Sequence, residues 1–205
     1  RAIHPRPWLI FGSSREVYGQ AVDQPVREDA PLEPVNVYGR SKVLAEQEVL
    51  SARAAGLRAA ILRFSNVYGC IADYPDRVVP CFSRAAVRDE QLSVEGADHT
   101  FDFTHVDDVV RGILAAAIRL ERQESIPPAV HLVTGRGTTL GRLANIALAA
   151  AGGRGRRVDA PSRTYDVAGF VGDPALARHA LGWHAMVGIE EGVHALVNEF
   201  RTAST

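Results

Sequence analysis

The alternation of apolar and polar positions predicts a strand, a long helix and a second strand in the first third of the chain. The run WLIFG, from Trp8 to Gly12, is apolar and aromatic and stops at a glycine, as buried strands often do. Residues 37–55 contain no proline and repeat apolar positions at helical spacing, which predicts a helix. The apolar run at 57–65 predicts another buried strand. This order is typical of a βαβ unit in a parallel sheet.

The rest of the chain continues the alternation with shorter elements. Strands are predicted over 91–95, 100–105 and 129–134, and helices over 77–88, 106–122, 139–151, from Asp173 onwards, and over 189–200. Asp173 followed by Pro174 is typical of an N-cap and a first helical position. Asp107 and Asp108 begin the helix at 106–122, so we expect them to cap it and to stabilise its dipole.

Length and composition narrow the class of protein. A chain of 205 residues with 46% hydrophobic residues can form one large domain or two small ones. The net charge of -1 argues against a nucleic-acid surface, and no apolar run approaches the roughly 18 residues of a membrane span. Cys70 and Cys81 lack CxxC spacing, which favours free thiols in a reducing cytoplasm. The histidines show no HxH or HExxH spacing, so no metal site is predicted.

One lysine is exceptional. The chain has 23 basic residues, of which Lys42 is the only lysine and all the others are arginine. Lys42 follows Tyr38 by four positions, so the two side chains share one face of the predicted helix. An exposed lysine placed there by chance is the alternative, but a single lysine rarely falls in such a position. The planar guanidinium of arginine is bulkier and its charge is delocalised, so this position favours a compact ammonium group.

The Tyr38–Lys42 pair predicts a site for proton transfer. A free phenol is a poor base at neutral pH because its pKa is about 10. An ammonium group close by favours the tyrosinate form electrostatically. Ser13 and Ser14 follow the first strand, and open parallel sheets build their sites at the carboxyl ends of strands. The hydroxyl of Ser13 or Ser14 could therefore form a hydrogen bond to the proton that Tyr38 exchanges with its substrate.

Five motifs occur in an order that resembles a known family. They are SSREVYG, VYGRSK, LRFSNVYG, FDFTHVDDVV and DPALARHALGW followed by EEGV. In this order they resemble the extended short-chain dehydrogenases/reductases, in particular the NAD-dependent sugar-nucleotide epimerases/dehydratases of the UDP-glucose 4-epimerase type. The resemblance covers about Trp8 to Phe200 and includes a YxxxK motif at Tyr38–Lys42.

The resemblance implies the fold class α/β, with the C-terminal part of a Rossmann-like doubly wound parallel sheet and a small α/β substrate-binding domain. Residues 1–70 would be the remainder of the NAD-binding domain and would carry the YxxxK helix. Residues 71–205 would mainly bind the sugar nucleotide, with about 100–122 returning to the Rossmann core. The YxxxK helix implies a homodimer interface, and association with the missing N-terminal half is the alternative.

The resemblance also implies roles for individual residues. Tyr38 would be the catalytic base, Lys42 would assist it and hold the nicotinamide ribose, and Ser14 would relay the proton. Residues implied to contact NAD are Tyr38, Lys42, Ser13, Phe64 and Ser65; those implied to contact the substrate are Ser14, Glu16, Asn66 and Arg163. The implied reaction is epimerisation of a nucleotide-diphosphate sugar at C4 through a transient 4-keto intermediate.

The chain departs from the family pattern in three places. No GxxGxxG turn precedes the first strand, so the pyrophosphate of NAD lacks its helix N-terminus, and we expect a fragment or a half supplied by another chain. Phe101 replaces an arginine that binds the diphosphate in many members. Arg15 and Glu16 stand where the 4,6-dehydratases have Asp and Glu. A dehydratase or reductase on the same scaffold, and a truncated, non-catalytic sugar-nucleotide-binding remnant, therefore remain as alternatives.

One glycine-rich segment of the chain is similar to a dinucleotide-binding motif. TGRGTTLG, from Thr134 to Gly141, follows a predicted strand, opens a predicted helix and precedes Asp159 at about the expected distance. Its spacing is GxGxxxG, which differs from the dinucleotide fingerprint. A glycine-rich connector is the preferred interpretation.

Overall fold

A computed structural model describes residues 7–21, 23–163 and 167–203 of the chain. Its strands are β1 (Trp8–Ser14), β2 (Arg58–Phe64), β3 (Asn66–Tyr68), β4 (Gln91–Glu95), β5 (Thr100–His105), β6 (Ala129–Leu132), β7 (Gly137–Thr139), β8 (Arg156–Ala160) and β9 (Gly169–Phe170). Its α-helices are α1 (Val37–Ala54), α2 (Val78–Val87), α3 (Val106–Glu121), α4 (Leu140–Ala151), α5 (Ala175–Leu181) and α6 (Ile189–Ala203). The mixed α/β class predicted from the sequence is confirmed.

Strands β1, β2 and β6 form a parallel sheet in which β2 is central. Ser14 is in register with Phe64, and Phe64 with Leu132, so the carboxyl ends of all three strands lie at one edge. Among the described strands, β1 pairs with β2 alone and is therefore at the side of the sheet. The candidate serines lie where this sheet ends.

The second group of strands lies around β5. It pairs with β3 and β9 in parallel and with β7 in antiparallel orientation, whereas β4 and β8 form a separate parallel pair. Helices α2, α4 and α6 pack against one another and bury an apolar cluster that includes Phe82, Leu143, Val193 and Leu196. This apolar cluster is separate from the one between the three-stranded sheet and helices α3 and α5.

Helix α3 packs against β1 and β2 on the face of the sheet that also receives α5. Leu62, Ala116, Val130 and Trp183 meet in a buried cluster there. Of the segment at about 100–122 that was predicted to return to the first sheet, α3 contacts that sheet, whereas β5 pairs with β3, β7 and β9. The domain boundary after residue 70 stays a prediction.

The other face of the sheet binds α1 through a buried ion pair. The guanidinium of Arg63, on β2, donates from Nη2 to Glu46 Oε2 at 2.6 Å and from Nε to Oε1 at 2.9 Å. Ser13 Oγ, on β1, donates to the same Glu46 Oε1 at 2.5 Å. All three side chains are almost completely buried. Because α1 provides the carboxylate and two strands provide its partners, this cluster fixes the helix against the sheet.

The same arginine continues the polar network towards β6. Arg63 Nη1 donates to the hydroxyl of Tyr18 at 2.5 Å, and that hydroxyl lies 2.6 Å from His131 Nε2. The Tyr18 hydroxyl thus connects Arg63 with the imidazole of His131. Burial lowers the pKa of His131 to about 3, and the positive charge of Arg63 acts in the same direction. His131 is therefore a neutral member of the core.

The predicted N-cap of α3 needs correction. His105 is the N-cap of α3, and its Nδ1 accepts from the amide of Asp107, so neither aspartate caps this helix. Asp108 is instead buried and accepts from the amides of Met186 and Val187 at 3.0–3.1 Å. Its carboxylate holds the loop between α5 and α6, a contact that local sequence does not reveal. Helix α5 begins at Ala175, and Asp173 Oδ1 accepts from the amide of Ala175 at 2.8 Å, which agrees with the predicted capping by Asp173.

No helix within residues 7–21, 23–163 and 167–203 has both the length and the hydropathy required to cross a lipid bilayer.

Substitution of Glu46 by Gln should destabilise the protein strongly, because it leaves the buried guanidinium of Arg63 without a countercharge. We expect the free energy of unfolding to fall by about 3–5 kcal/mol. The matched control is Glu190→Gln, whose partner Arg142 lies 2.6 Å away with both side chains more than half exposed. That change should cost less than about 1 kcal/mol. Urea unfolding measures both, and equal losses would show that the buried pair does not fix α1.

Candidate active site

The first turn of α1 is fastened to the end of β1. Asn36 is the N-cap, and its Oδ1 accepts from the amide of Gly39 at 2.7 Å. Its Nδ2 donates to Glu16 Oε2 at 2.9 Å. A Cβ on Gly39 would lie 2.5 Å from the carbonyl oxygen of Glu16, so the helix approaches the turn as closely as glycine permits. These contacts place Tyr38 next to the carboxyl end of β1.

Lys42 lies one turn further along α1 and contacts the same strand. Its Nζ donates to the carbonyl oxygen of Gly12 at 2.8 Å. The ammonium nitrogen is 5.6 Å from the centre of the Tyr38 ring and 4.9 Å from that of Phe11. Tyr38 is 53% exposed, so its hydroxyl is available to a ligand. The strand thus holds the cation beside the tyrosine.

Most of the predicted site residues meet in one cleft of about 570 Å³, which we call the tyrosine cleft. Those that line it are Ser13, Ser14, Glu16, Tyr38, Phe64, Ser65 and Asn66. Ser14 Oγ accepts from the amide of Glu16 at 3.2 Å and so caps the short 3₁₀ turn that follows β1. Ser65 Oγ donates to the carbonyl oxygen of Asp102 at 2.6 Å. The cleft therefore lies at the carboxyl ends of β1 and β2.

Two of the predicted residues have other partners. Ser13 is 3% exposed, and its hydroxyl donates to Glu46. Arg163 lies 2.6 Å from Glu95 through Nε and Oε2, and it does not line the tyrosine cleft. The predicted roles of both side chains towards ligands stay predictions.

A second cleft of about 740 Å³ adjoins the first. The residues that line both are Arg15, Glu16, Asn36, Asn66 and Val78. Gln20, His99 and Phe101 contribute further walls to this adjoining cleft. The two clefts meet at the turn that follows β1.

Arg15 occupies the junction between the clefts. Its guanidinium carbon lies 4.8 Å from the ring centre of Phe101. Nη2 lies 2.9 Å from Glu16 Oε1, and Nε donates to Asn66 Oδ1 at 3.4 Å. Burial lowers the pKa of Arg15, while the carboxylate of Glu16 acts in the opposite direction. Phe101, which carries no charge, therefore supports a cation from another part of the chain.

Three contributions to the site were not predicted from the sequence: the contacts of Asn36, those of Glu46, and the packing of Arg15 on Phe101. Glu46 follows Lys42 by four positions, so the helical repeat that pairs Tyr38 with Lys42 also predicts its face. Only its buried partners reveal its importance. The packing of Arg15 on Phe101 leaves no signal in the spacing of residues.

The glycine-rich connector at 134–141 serves a structural purpose. The amides of Thr134 and Gly135 donate to the carboxylate of Asp102 at 2.9 and 2.8 Å, and the Thr134 hydroxyl does so at 2.8 Å. Asp102 is fully buried, and burial raises the pKa of its carboxyl group. Since these donors serve an internal carboxylate, they are not directed towards a pyrophosphate.

Comparison with known proteins identifies the family. The NAD dependent epimerase/dehydratase family matches residues 2–128. The chain belongs to this family. UDP-glucose 4-epimerase of Bacillus subtilis is 30% identical over 202 residues, covering 89% of this chain and 59% of that protein. The structure of UDP-glucose 4-epimerase from Thermotoga maritima with UDP-glucose has a TM-score of 0.86 at 32% identity, covering 96% of this chain and 64% of that one.

A dehydratase is similar to the same extent. The NAD-dependent NDP-hexosamine 5,6-dehydratase TunA has a TM-score of 0.85 at 31% identity, covering 96% of this chain and 64% of that chain. The predicted epimerase/dehydratase family and Rossmann-like fold class are confirmed. The chain spans less than two thirds of the length of each of these family members.

Substitution of Gly39 by Ala should destabilise the protein, although alanine normally stabilises a helix by about 1 kcal/mol relative to glycine. The new methyl group would clash with the Glu16 carbonyl oxygen. We expect the free energy of unfolding to fall by about 1–3 kcal/mol in total. Gly188→Ala is the control, because no atom lies within 4 Å of the added Cβ. Thermal unfolding of both variants measures the difference. A stabilised Gly39→Ala protein would contradict the close approach of α1 to the turn.

Proposed function

We propose that the protein catalyses NAD-dependent epimerisation at C4 of a nucleotide-diphosphate sugar through a transient 4-keto intermediate. The observation that carries this proposal is the placement of Tyr38 and Lys42 at the carboxyl end of β1, beside Ser14 in the tyrosine cleft. The similarity to UDP-glucose 4-epimerases of Bacillus subtilis and Thermotoga maritima supports the choice of reaction.

Tyr38 is the proposed base. Its exposed hydroxyl lies in the cleft, whereas the Lys42 ammonium is held behind it by the Gly12 carbonyl. The phenol oxygen of Tyr38 takes up the proton of the sugar hydroxyl as hydride leaves the sugar, and later returns it. Ser14 Oγ already accepts one hydrogen bond, from Glu16, and retains its own proton to pass between sugar and tyrosine.

The tyrosine cleft fits the nicotinamide end of NAD. The hydroxyls of Tyr38 and Ser14 suit hydrogen bonds with ribose or sugar, and Phe64 and Val79 offer apolar surface for a flat ring. We propose that Tyr38, Lys42, Ser13, Phe64 and Ser65 hold this end, with Ser13 acting through the backbone because its hydroxyl serves Glu46. NAD supplies the hydride acceptor and donor that the reaction requires.

The adjoining cleft is the proposed site of the sugar nucleotide. Glu16 and Asn66 line both clefts, so they contact the substrate next to the reacting sugar. We retain Arg163 as a proposed diphosphate contact, which requires it to leave Glu95 when substrate binds. UDP-glucose, the ligand of the Thermotoga maritima relative, is the first substrate to test.

A dehydratase is the second candidate, supported by the similarity to TunA and by the position of Glu16 in the cleft. A carboxylate that acts as a base must be free to accept a proton. Glu16 instead binds Arg15 at 2.9 Å and Asn36 at 2.9 Å. This ion pair favours epimerisation over dehydration. A reductase, or a non-catalytic sugar-nucleotide-binding remnant, is the remaining alternative.

We further propose that the active unit includes polypeptide beyond residues 1–205 that covers the free side of β1. Three observations support this: the chain spans 59–64% of its relatives, β1 has one described neighbour, and α3 exposes a stripe at Val110, Leu114 and Ile118. Leu44, which is 63% exposed on α1, supports a homodimer through that helix. The free thiols of Cys70 and Cys81 suit a reducing cytoplasm.

Residues 1–205 alone should bind UDP-glucose but give no measurable heat with NAD, because the sequence contains no GxxGxxG turn for the pyrophosphate. Co-expression with a GxxGxxG-bearing N-terminal half of a relative should restore NAD binding and turnover. Calorimetry and an epimerase assay measure the two outcomes. Tight NAD binding by residues 1–205 would contradict the need for additional polypeptide, and binding of UDP-glucose with no restored turnover would support the remnant.

Tyr38→Phe should lower kcat in the NAD-binding protein by about 10²–10⁴-fold, because it removes the proton acceptor while preserving the ring. Lys42→Arg should also reduce kcat, since the bulkier, planar guanidinium cannot reproduce the contact of the ammonium with the Gly12 carbonyl beside Tyr38. Tyr74→Phe, at a 65% exposed tyrosine outside both clefts, is the control and should be unaffected. The assay follows conversion of UDP-glucose to its C4 epimer. A stable keto product lighter by one water molecule would identify the dehydratase instead.

A further inference from the structure

The junction of the two clefts contains one fixed cation. Among the described residues that line the clefts, the basic side chains are Arg15, Arg77 and His99. Arg77 has a side chain 58% exposed and is paired with Asp73 at 3.6 Å. The side chain of Arg15 is 13% exposed and borders both clefts. It is therefore the arginine that any ligand extending from one cleft into the other must pass.

Arg15 is held in place before a ligand arrives. The ring of Phe101 supports the flat face of the guanidinium, and Asn66 and Glu16 bind it at its edge. Glu16 is itself fixed by the amide group of Asn36. A side chain that is already ordered loses little conformational entropy when it binds a ligand. The entropic cost of ligand binding is therefore lower for Arg15 than for a mobile surface arginine.

The N–H donors of Arg15 are incompletely satisfied by the described part of the protein. A guanidinium has five N–H donors, whereas Asn66 and Glu16 are its hydrogen-bond and ion-pair partners among the described residues. Burial lowers the pKa of Arg15 although the carboxylate of Glu16 opposes this effect. An anion with two oxygens would supply the missing acceptors in a bidentate arrangement.

We propose that Arg15 binds the anionic group of the nucleotide sugar that lies next to the reacting sugar ring. This inference rests on the proposed function of the two clefts. Arg15 directly follows Ser14, so its ligand borders the part of the substrate that reacts and not the nucleoside. Two sources carry such an anion: the diphosphate, and a carboxylate on the sugar of a nucleotide uronic acid. In the second case alone, Arg15 would also determine which sugar is accepted.

Calorimetric titration of residues 1–205 with UDP, UDP-glucose and UDP-glucuronate tests this proposal, because we expect this chain to bind sugar nucleotides without NAD. Arg15→Gln should weaken binding of the relevant ligand roughly 10- to 100-fold. Arg15→Lys keeps the charge without the planar fork and should give an intermediate loss, which also serves if the glutamine variant fails to fold. The control is Arg40→Gln, at an exposed arginine of α1 outside both clefts.

The three ligands separate the outcomes. Equal weakening for UDP and both UDP-sugars would assign Arg15 to the diphosphate. Weakening confined to UDP-glucuronate would assign it to a sugar carboxylate. If Arg15→Gln binds every ligand as tightly as Arg40→Gln, the inference is overturned while the proposed function stands. Failure of the wild-type protein to bind any of the three would overturn the proposed function, and this inference with it.

Discussion

The buried ion pair between Glu46 and Arg63 sets the position on which the rest of the candidate site depends. Two charges removed from water are stable only when each finds its partner, so the pair permits one placement of α1 against β1 and β2. Lys42, one helical turn before Glu46, then meets the Gly12 carbonyl at the end of β1. Tyr38, another turn earlier, reaches the cleft. A single helix face thus carries the anchor, the cation and the phenol.

Local patterns predicted much of the fold. The apolar runs of β1 and β2 and the period of α1 are visible in neighbouring residues, and the shared face of Tyr38 and Lys42 follows from that period. The partners of Glu46 and Asp108 could not be predicted in this way. Arg63 is 17 positions from Glu46, and Met186 is 78 positions from Asp108, so these contacts exist only once the chain has folded.

The candidate site shows the same division. Ser14 and Glu16 were predictable as site residues because they directly follow or end the first strand, and open parallel sheets form their sites at the carboxyl ends of strands. The absence of an arginine at Phe101 suggested a loss of charge in the binding region. The structure places the guanidinium of Arg15 over that ring, so a distant residue provides the charge. Position-by-position reasoning could not anticipate this exchange between residues far apart in the chain.

The Lys42 contact has a practical consequence. Because the chain has no other lysine, its side-chain amine chemistry is concentrated at one atom that is hydrogen-bonded to Gly12. Reagents that acylate amines can modify, apart from the N-terminus, only this nitrogen. Acylation therefore labels residues 1–205 at a single side chain, on the helix that also carries Tyr38 of the neighbouring cleft, without any engineered residue.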